Sequence, residues 1–147
     1  MKKNNCSPEM EMLLLAELIS YPYHLGRVNL DPFTSLIVSP HARKVLGVLV
    51  EMRQNDEEVN FVNVCYRLND PETVAALTDS STKVTTDSSI EQHIGYLKEL
   101  HAIRFLEMLA LKMVQVSGDM SLSFSEKLNK LADELNHEVD MLSECRS

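Results

Sequence analysis

Five histidines, His24, His41, His93, His101 and His137, are the side chains of this 147-residue chain best suited to hold a metal or move a proton near neutral pH. Two imidazoles on one helix converge on an ion when about four residues separate them. His93 and His101 share a predicted helix but stand eight residues apart, about 12 Å along the axis, so each is read as a helix-face histidine with surroundings of its own. The three cysteines, Cys6, Cys65 and Cys145, make no C-x-x-C pair, and none has a histidine at zinc-ligand spacing. Adjacent carboxylates at Glu57-Glu58 and Asp133-Glu134 point to different sides of a helix or into solvent, so they cannot share a proton. The glycines, Gly26, Gly47, Gly95 and Gly118, stand singly, and there is no phosphate loop, no G-x-S-x-G and no H-E-x-x-H. The expectation is a chain with no catalytic residues, no metal and no cofactor. A small helical enzyme built on the histidines is the alternative.

The elements that would position a binding surface are helices. Four Gly, five Pro, no Trp and eight Met among 147 residues is a helical composition, since unbranched side chains lose little rotamer freedom on a helix. Four prolines follow a cap residue, in Ser7-Pro8, Asp31-Pro32, Ser39-Pro40 and Asp70-Pro71, where the missing N–H costs nothing. The fifth, Pro22, stops the first helix, which carries Leu14, Leu15, Leu18 and Ile19. Short helices are predicted over 32–38 (Phe33, Leu36, Ile37) and from Asn60 (Phe61, Val64, Cys65, Leu68), with a longer one over 40–53 (Val45, Leu46, Leu49, Met52). Another opens at Pro71 and buries Val74 and Leu77, and no strand pattern is present.

Residues 79–89 are almost all Ser, Thr and Asp, with Val84 the one apolar side chain, and read as a mobile linker. Beyond it, a long helix over 90–116 has Gly118 as its stop, and Ser123-x-x-Glu126 opens a second as a capping box. That second helix spaces Phe124, Leu128, Leu131, Leu135, Val139 and Leu142 by threes and fours. The expected fold is all-α: an N-terminal bundle of short helices (7–78), a flexible linker (79–89) and a long C-terminal antiparallel helical hairpin (90–143). Leu97, Leu100, Ile103, Leu106 and Val114 are expected to cover the stripe of the second helix, leaving Phe105, Met108 and Leu109 on another side. Phe105, Met108, Leu109 and Met141 are therefore the candidate partner-binding anchors. Methionines in general serve either as core filler or as a plastic binding surface.

Charge narrows the partners. The net charge is −8, with seven Lys/Arg against thirteen Asp/Glu after residue 70, and a chain this acidic is repelled by a phosphate backbone. Direct nucleic-acid binding is not expected, nor is a membrane span, because Glu9, Glu11 and Glu17 interrupt the apolar run Leu13-Leu14-Leu15-Ala16. An odd cysteine count fits a reducing cytoplasm.

The order of these parts resembles a known pair of related domains. Pro8, Glu11 and Leu15 in the first helix, Leu36 five residues before His41, Arg43, and Asn60 at the next helix start follow one shared pattern. So do Tyr96-Leu97, Leu100, Arg104 and Leu106 of the long helix and the turn Ser117-Gly118-Asp119. The pattern is similar to the helicase-binding C-terminal domain of bacterial DnaG-type primase and to its structural relative, the N-terminal domain of DnaB-type replicative helicase. Ala16, where the helicase domain usually has Gly, favours the primase type, as do the Gly-Asp turn and a chain that ends soon after the second long helix. The resemblance implies a protein–protein module of DNA replication that binds and stimulates the replicative DnaB-type helicase as a monomer or weak dimer. The alternative it implies is a helicase collar domain that self-associates and binds primase.

Overall fold

In a computed structural model, residues 6–26, Leu30 and residues 33–143 are described, the side chains of Leu142 and Ser143 excepted. They form seven α-helices and, among the described residues, no strand: α1 (Pro8–Ser20), α2 (Phe33–Leu36), α3 (Pro40–Gln54), α4 (Phe61–Leu68), α5 (Pro71–Ser81), α6 (Ile90–Ser117) and α7 (Phe124–Ser143). A 3-10 turn at Pro22–Gly26 follows α1. The cap expected at Asp31-Pro32, the side chain of Leu142 and Cys145 lie outside the described residues.

The helix starts show how the sequence sets local structure. Ser7 accepts the N–H of Met10 at 3.3 Å, Asn60 that of Asn63 at 2.8 Å and Asp70 that of Glu72 at 3.2 Å, each side chain satisfying a donor that the first turn leaves without a partner. At α7 the capping box closes in both directions, Ser123 N to Glu126 Oε1 at 2.7 Å and Glu126 N to Ser123 Oγ at 3.2 Å. Ser39 departs from this scheme. Its hydroxyl makes no cap and donates instead to Glu11 of α1 at 2.7 Å, which also accepts the N–H groups of Val38 (3.1 Å) and Ser39 (2.9 Å). Gly118 ends α6 at φ −88°, so the left-handed freedom expected of it goes unused. Asn69 supplies the left-handed cap of α4 instead, at φ 46°.

Helix α1 is the central element, packed against α3, α5 and α6. Its buried side chains Leu14, Leu15, Leu18 and Ile19 join Phe33, Leu36, Ile37, Leu49, Met52 and Leu77 in one core. A helix buried on so many sides needs apolar residues around most of its circumference, which the run Leu13-Leu14-Leu15-Ala16 provides. Of the residues expected to bury α4, only Val64 does so fully, while Phe61, Cys65 and Leu68 are partly buried. On α5, Leu77 is buried and Val74 is not, and Thr73 and Ser80 go inside with Leu77.

The expected break at 79–89 meets continuous packing. Residues 79–81 are the last turn of α5, Ser80 is buried, and Val84 packs against the core. Asp87 accepts hydrogen bonds from Tyr23 and, at 2.9 Å, from His24. Beyond this segment the first half of α6 enters the same core through Ile90, Ile94, Leu97 and Leu100. Composition alone suggested a linker because Ser and Thr are frequent there; in the structure their hydroxyls close the last turns of α5, Ser81 donating to Thr78 O at 2.8 Å and Thr82 to Asp79 O at 2.7 Å.

Candidate docking surface on the last two helices

Two regimes divide α6. Its first half is a core helix, tied down further by His93, whose Nδ1 lies 2.7 Å from Glu17 Oε1 of α1, and by Arg104, whose Nη2 donates to Ser35 O at 3.1 Å. Beyond Leu100 the helix adds no residue to the central core, and α7 packs against α6. His101 pairs with Glu138, Lys112 with Glu134, and Lys127 Nζ donates to Ser117 O at 3.0 Å. These pairings run in opposite directions along the two helices, so α7 returns along α6. The lysine hydrogen bond holds the Glu134 carboxyl below the usual glutamate range, and the capping bonds of Ser123 do the same for Glu126.

The contact between the two helices is largely polar. Phe105 and Val116 are the buried apolar side chains of the distal part of α6, and none of the described side chains of α7 is buried. Most of the stripe expected to lie inside is exposed: Phe124 is 76% accessible, and Leu128, Leu135 and Val139 are each about half so, while Leu131 is half-buried. On α6 the same holds for Ile103, Leu106, Met113 and Val114. The anchors expected from the sequence separate accordingly. Met108 is exposed, Leu109 and Met141 are half-buried, and Phe105 is buried at 7%, which removes it from any free surface.

Helical rotation shows how these residues combine. At about 100° per residue, Leu106, Ala110 and Met113 lie about a quarter to nearly half a turn from Lys112, which pairs with Glu134 of α7. On α7, Phe124, Leu128, Leu135 and Val139 lie roughly a quarter turn from Lys127, Glu134 and Glu138. Because the helices are antiparallel, both offsets turn to one side, opposite the side on which α6 meets the core. The far edge of that face on α7 carries Ser125, Asn129, Ala132 and Asn136, all exposed and uncharged. Six large apolar side chains, each about half exposed or more, present on the order of 500 Å² at roughly 150 Å² for a whole one. That is over half the area each partner contributes to a protein–protein interface of standard size, about 800 Å². Depletion of charge at the centre of the face is the compositional mark of an interface.

The signal in the sequence lay in the charges rather than the apolar residues. His101 and Lys112 share one side of α6, and Glu134 and Glu138 share one side of α7. Those complementary sides meet, and the leucine stripe is left facing outward. Among the described residues no three His, Cys, Asp or Glu side chains are grouped to hold a metal ion, and no helix is long and apolar enough to cross a membrane. His93 and His101 each go to a different carboxylate. The sequence matches no protein-family model, and comparison with curated proteins gives no match.

Proposed function

We propose that this chain is a non-catalytic docking module of DNA replication that binds, and stimulates, a DnaB-type replicative helicase. In this reading residues 7–78 form the bundle and residues 90–143 the helical hairpin that grips the partner. The observation that carries it is the inverted pairing of α6 and α7: ion pairs between the helices, and an apolar face turned to solvent. An apolar surface of this size gains roughly 25 cal/mol per Å² when covered, and neither the core nor α7 covers it. The choice of a helicase rests on the resemblance of the chain to the primase C-terminal domain, and the negative charge agrees with a protein that works beside DNA while touching another protein. The test is titration of a purified replicative helicase by calorimetry and gel filtration. Complex formation that is lost in a Leu106→Ser/Leu128→Ser double variant supports the reading, and absence of a complex with the parent chain refutes it.

A second reading, the helicase collar type, is favoured by one specific feature. The two stripes turn to one side as a single self-complementary apolar face, so a second copy related by a two-fold axis would cover it. Sedimentation at micromolar concentration separates the two: a monomer supports the primase-type module, and a stable dimer or ring supports the collar type.

A further inference from the structure

A separate cavity opens where α1 and α3 begin and α5 ends. It holds about 330 Å³. Pro8, Met12, Pro40 and Ala76 supply its apolar lining. Two helix N-termini converging on one cavity would ordinarily favour an anion. Here both N1 positions are prolines, which carry no N–H, while the donors of Val38 and Ser39 are taken by Glu11 and that of Met10 by Ser7. Proline at both N1 positions removes one donor from each helix start and adds apolar surface to the wall.

The polar groups at the cavity are mostly acceptors. Glu9 and Asp79 are exposed at it, and Lys83, the single cation among the lining residues, lies 3.6 Å from Asp79 in a loose, exposed pair. His41 adds a third acceptor through a hydrogen-bond chain. Asp70 Oδ2 accepts from Lys44 Nζ at 2.5 Å and from the Thr73 hydroxyl at 2.7 Å, so the Thr73 oxygen is free to accept from His41 Nδ1 at 2.7 Å. The lysine and the threonine hold the Asp70 carboxyl down to about 2, which keeps it an acceptor. With the proton of neutral His41 on Nδ1, Nε2 carries the lone pair.

We infer that this cavity is a docking site for a partner peptide in which an aliphatic side chain stands next to an arginine or lysine. The aliphatic group fills the cavity between Met12 and Ala76, and the cationic group meets Glu9, Asp79 and His41 at its rim. The site lies on the bundle and is independent of the helicase reading, which concerns α6 and α7. The experiment is an NMR titration of the full ¹⁵N-labelled chain with the capped dipeptides acetyl-Leu-Arg-amide, acetyl-Leu-Glu-amide and acetyl-Ala-Arg-amide. Leu-Arg should give saturable shifts at His41 and along 76–83, with the other two binding at least about fivefold more weakly. In a Glu9→Gln/Asp79→Asn variant, changed only at exposed positions, the preference for Arg over Glu should vanish while the need for Leu persists. No saturable shift at those positions, equal binding of Leu-Glu, or an unchanged preference in the double variant each overturns the proposal.

Discussion

Replacing two leucines on the same helix tests whether α6 changes role along its length. Leu97 is 1% exposed and packs among α1 core residues, whereas Leu106, nine positions later, is 58% exposed. Leu97→Ala removes a fully buried side chain from a close-packed interior and should cost about 3 kcal/mol, the sum of lost transfer energy and the cavity left behind. Leu106→Ala removes one that gives up less than half its surface on folding, and should cost under about 1 kcal/mol. In urea, with a slope of about 1.5 kcal/mol per molar for a domain of this size, the first shifts the midpoint by roughly 2 M and the second by less than about 0.7 M. The measurement is urea unfolding followed by circular dichroism at several micromolar concentrations. Equal costs for the two substitutions at the lowest concentration would refute the division of α6 into a core half and a half beyond the core. A cost for Leu106→Ala that grows with protein concentration would show a second copy seated on the face, because association stabilises only the folded state.

Three further predictions concern the anchoring of the bundle. Glu11→Ala should cost about 3 kcal/mol, because the buried N–H groups of Val38 and Ser39 lose their acceptor, and Glu11→Gln, which keeps a carbonyl oxygen, about half of that by thermal unfolding; equal losses would contradict the hydrogen-bond assignment. Glu17→Ala should speed amide exchange over the first turns of α6 near His93 while leaving α7 unaffected, and uniform acceleration across the chain would speak against a local tether. Asp70 has its folded pKa held at about 2, below the unfolded value near 4. Its contribution is therefore complete above pH ~4 and disappears as the pH falls toward 2. Asp70→Asn keeps an N-cap but loses the pairing with Lys44, so its midpoint should lie below that of the parent at pH 7 and converge with it near pH 2. A gap that persisted to pH 2 would place the effect elsewhere.

What was legible in the sequence follows from how local each signal is. The N-caps at Ser7, Asn60 and Asp70 and the capping box at Ser123 and Glu126 each involve groups within three residues, so residue type and spacing suffice to predict them. Ser39 failed because its hydroxyl found a better acceptor in Glu11, 28 positions away in the chain, and no local pattern reports such a neighbour. The packing of the segment 79–89 is likewise set by distant neighbours. Serine and threonine raise the expectation of a loop, but burial of Ser80 and the contacts of Asp87 with Tyr23 and His24 depend on where α1 and its following turn lie.

The candidate surface shows the boundary most clearly. Periodicity alone determined that α6 and α7 are amphipathic helices joined by a short turn, and it determined which residues share each stripe, because a helix turns by a constant angle per residue. It did not determine the rotation of one helix about its axis against the other. Phe105, expected outside, went in, and the stripe of Phe124, Leu128, Leu135 and Val139, expected inside, came out. That rotation was decided by the tertiary structure, where burial of Ile94, Leu97 and Leu100 in the core orients α6 and the pairing of His101 with Glu138 and Lys112 with Glu134 then orients α7. Apolar attraction has no direction of its own, so an amphipathic helix states only that its stripe will be covered; the directional ion pairs and the core selected which neighbour covers it, and left this one facing solvent.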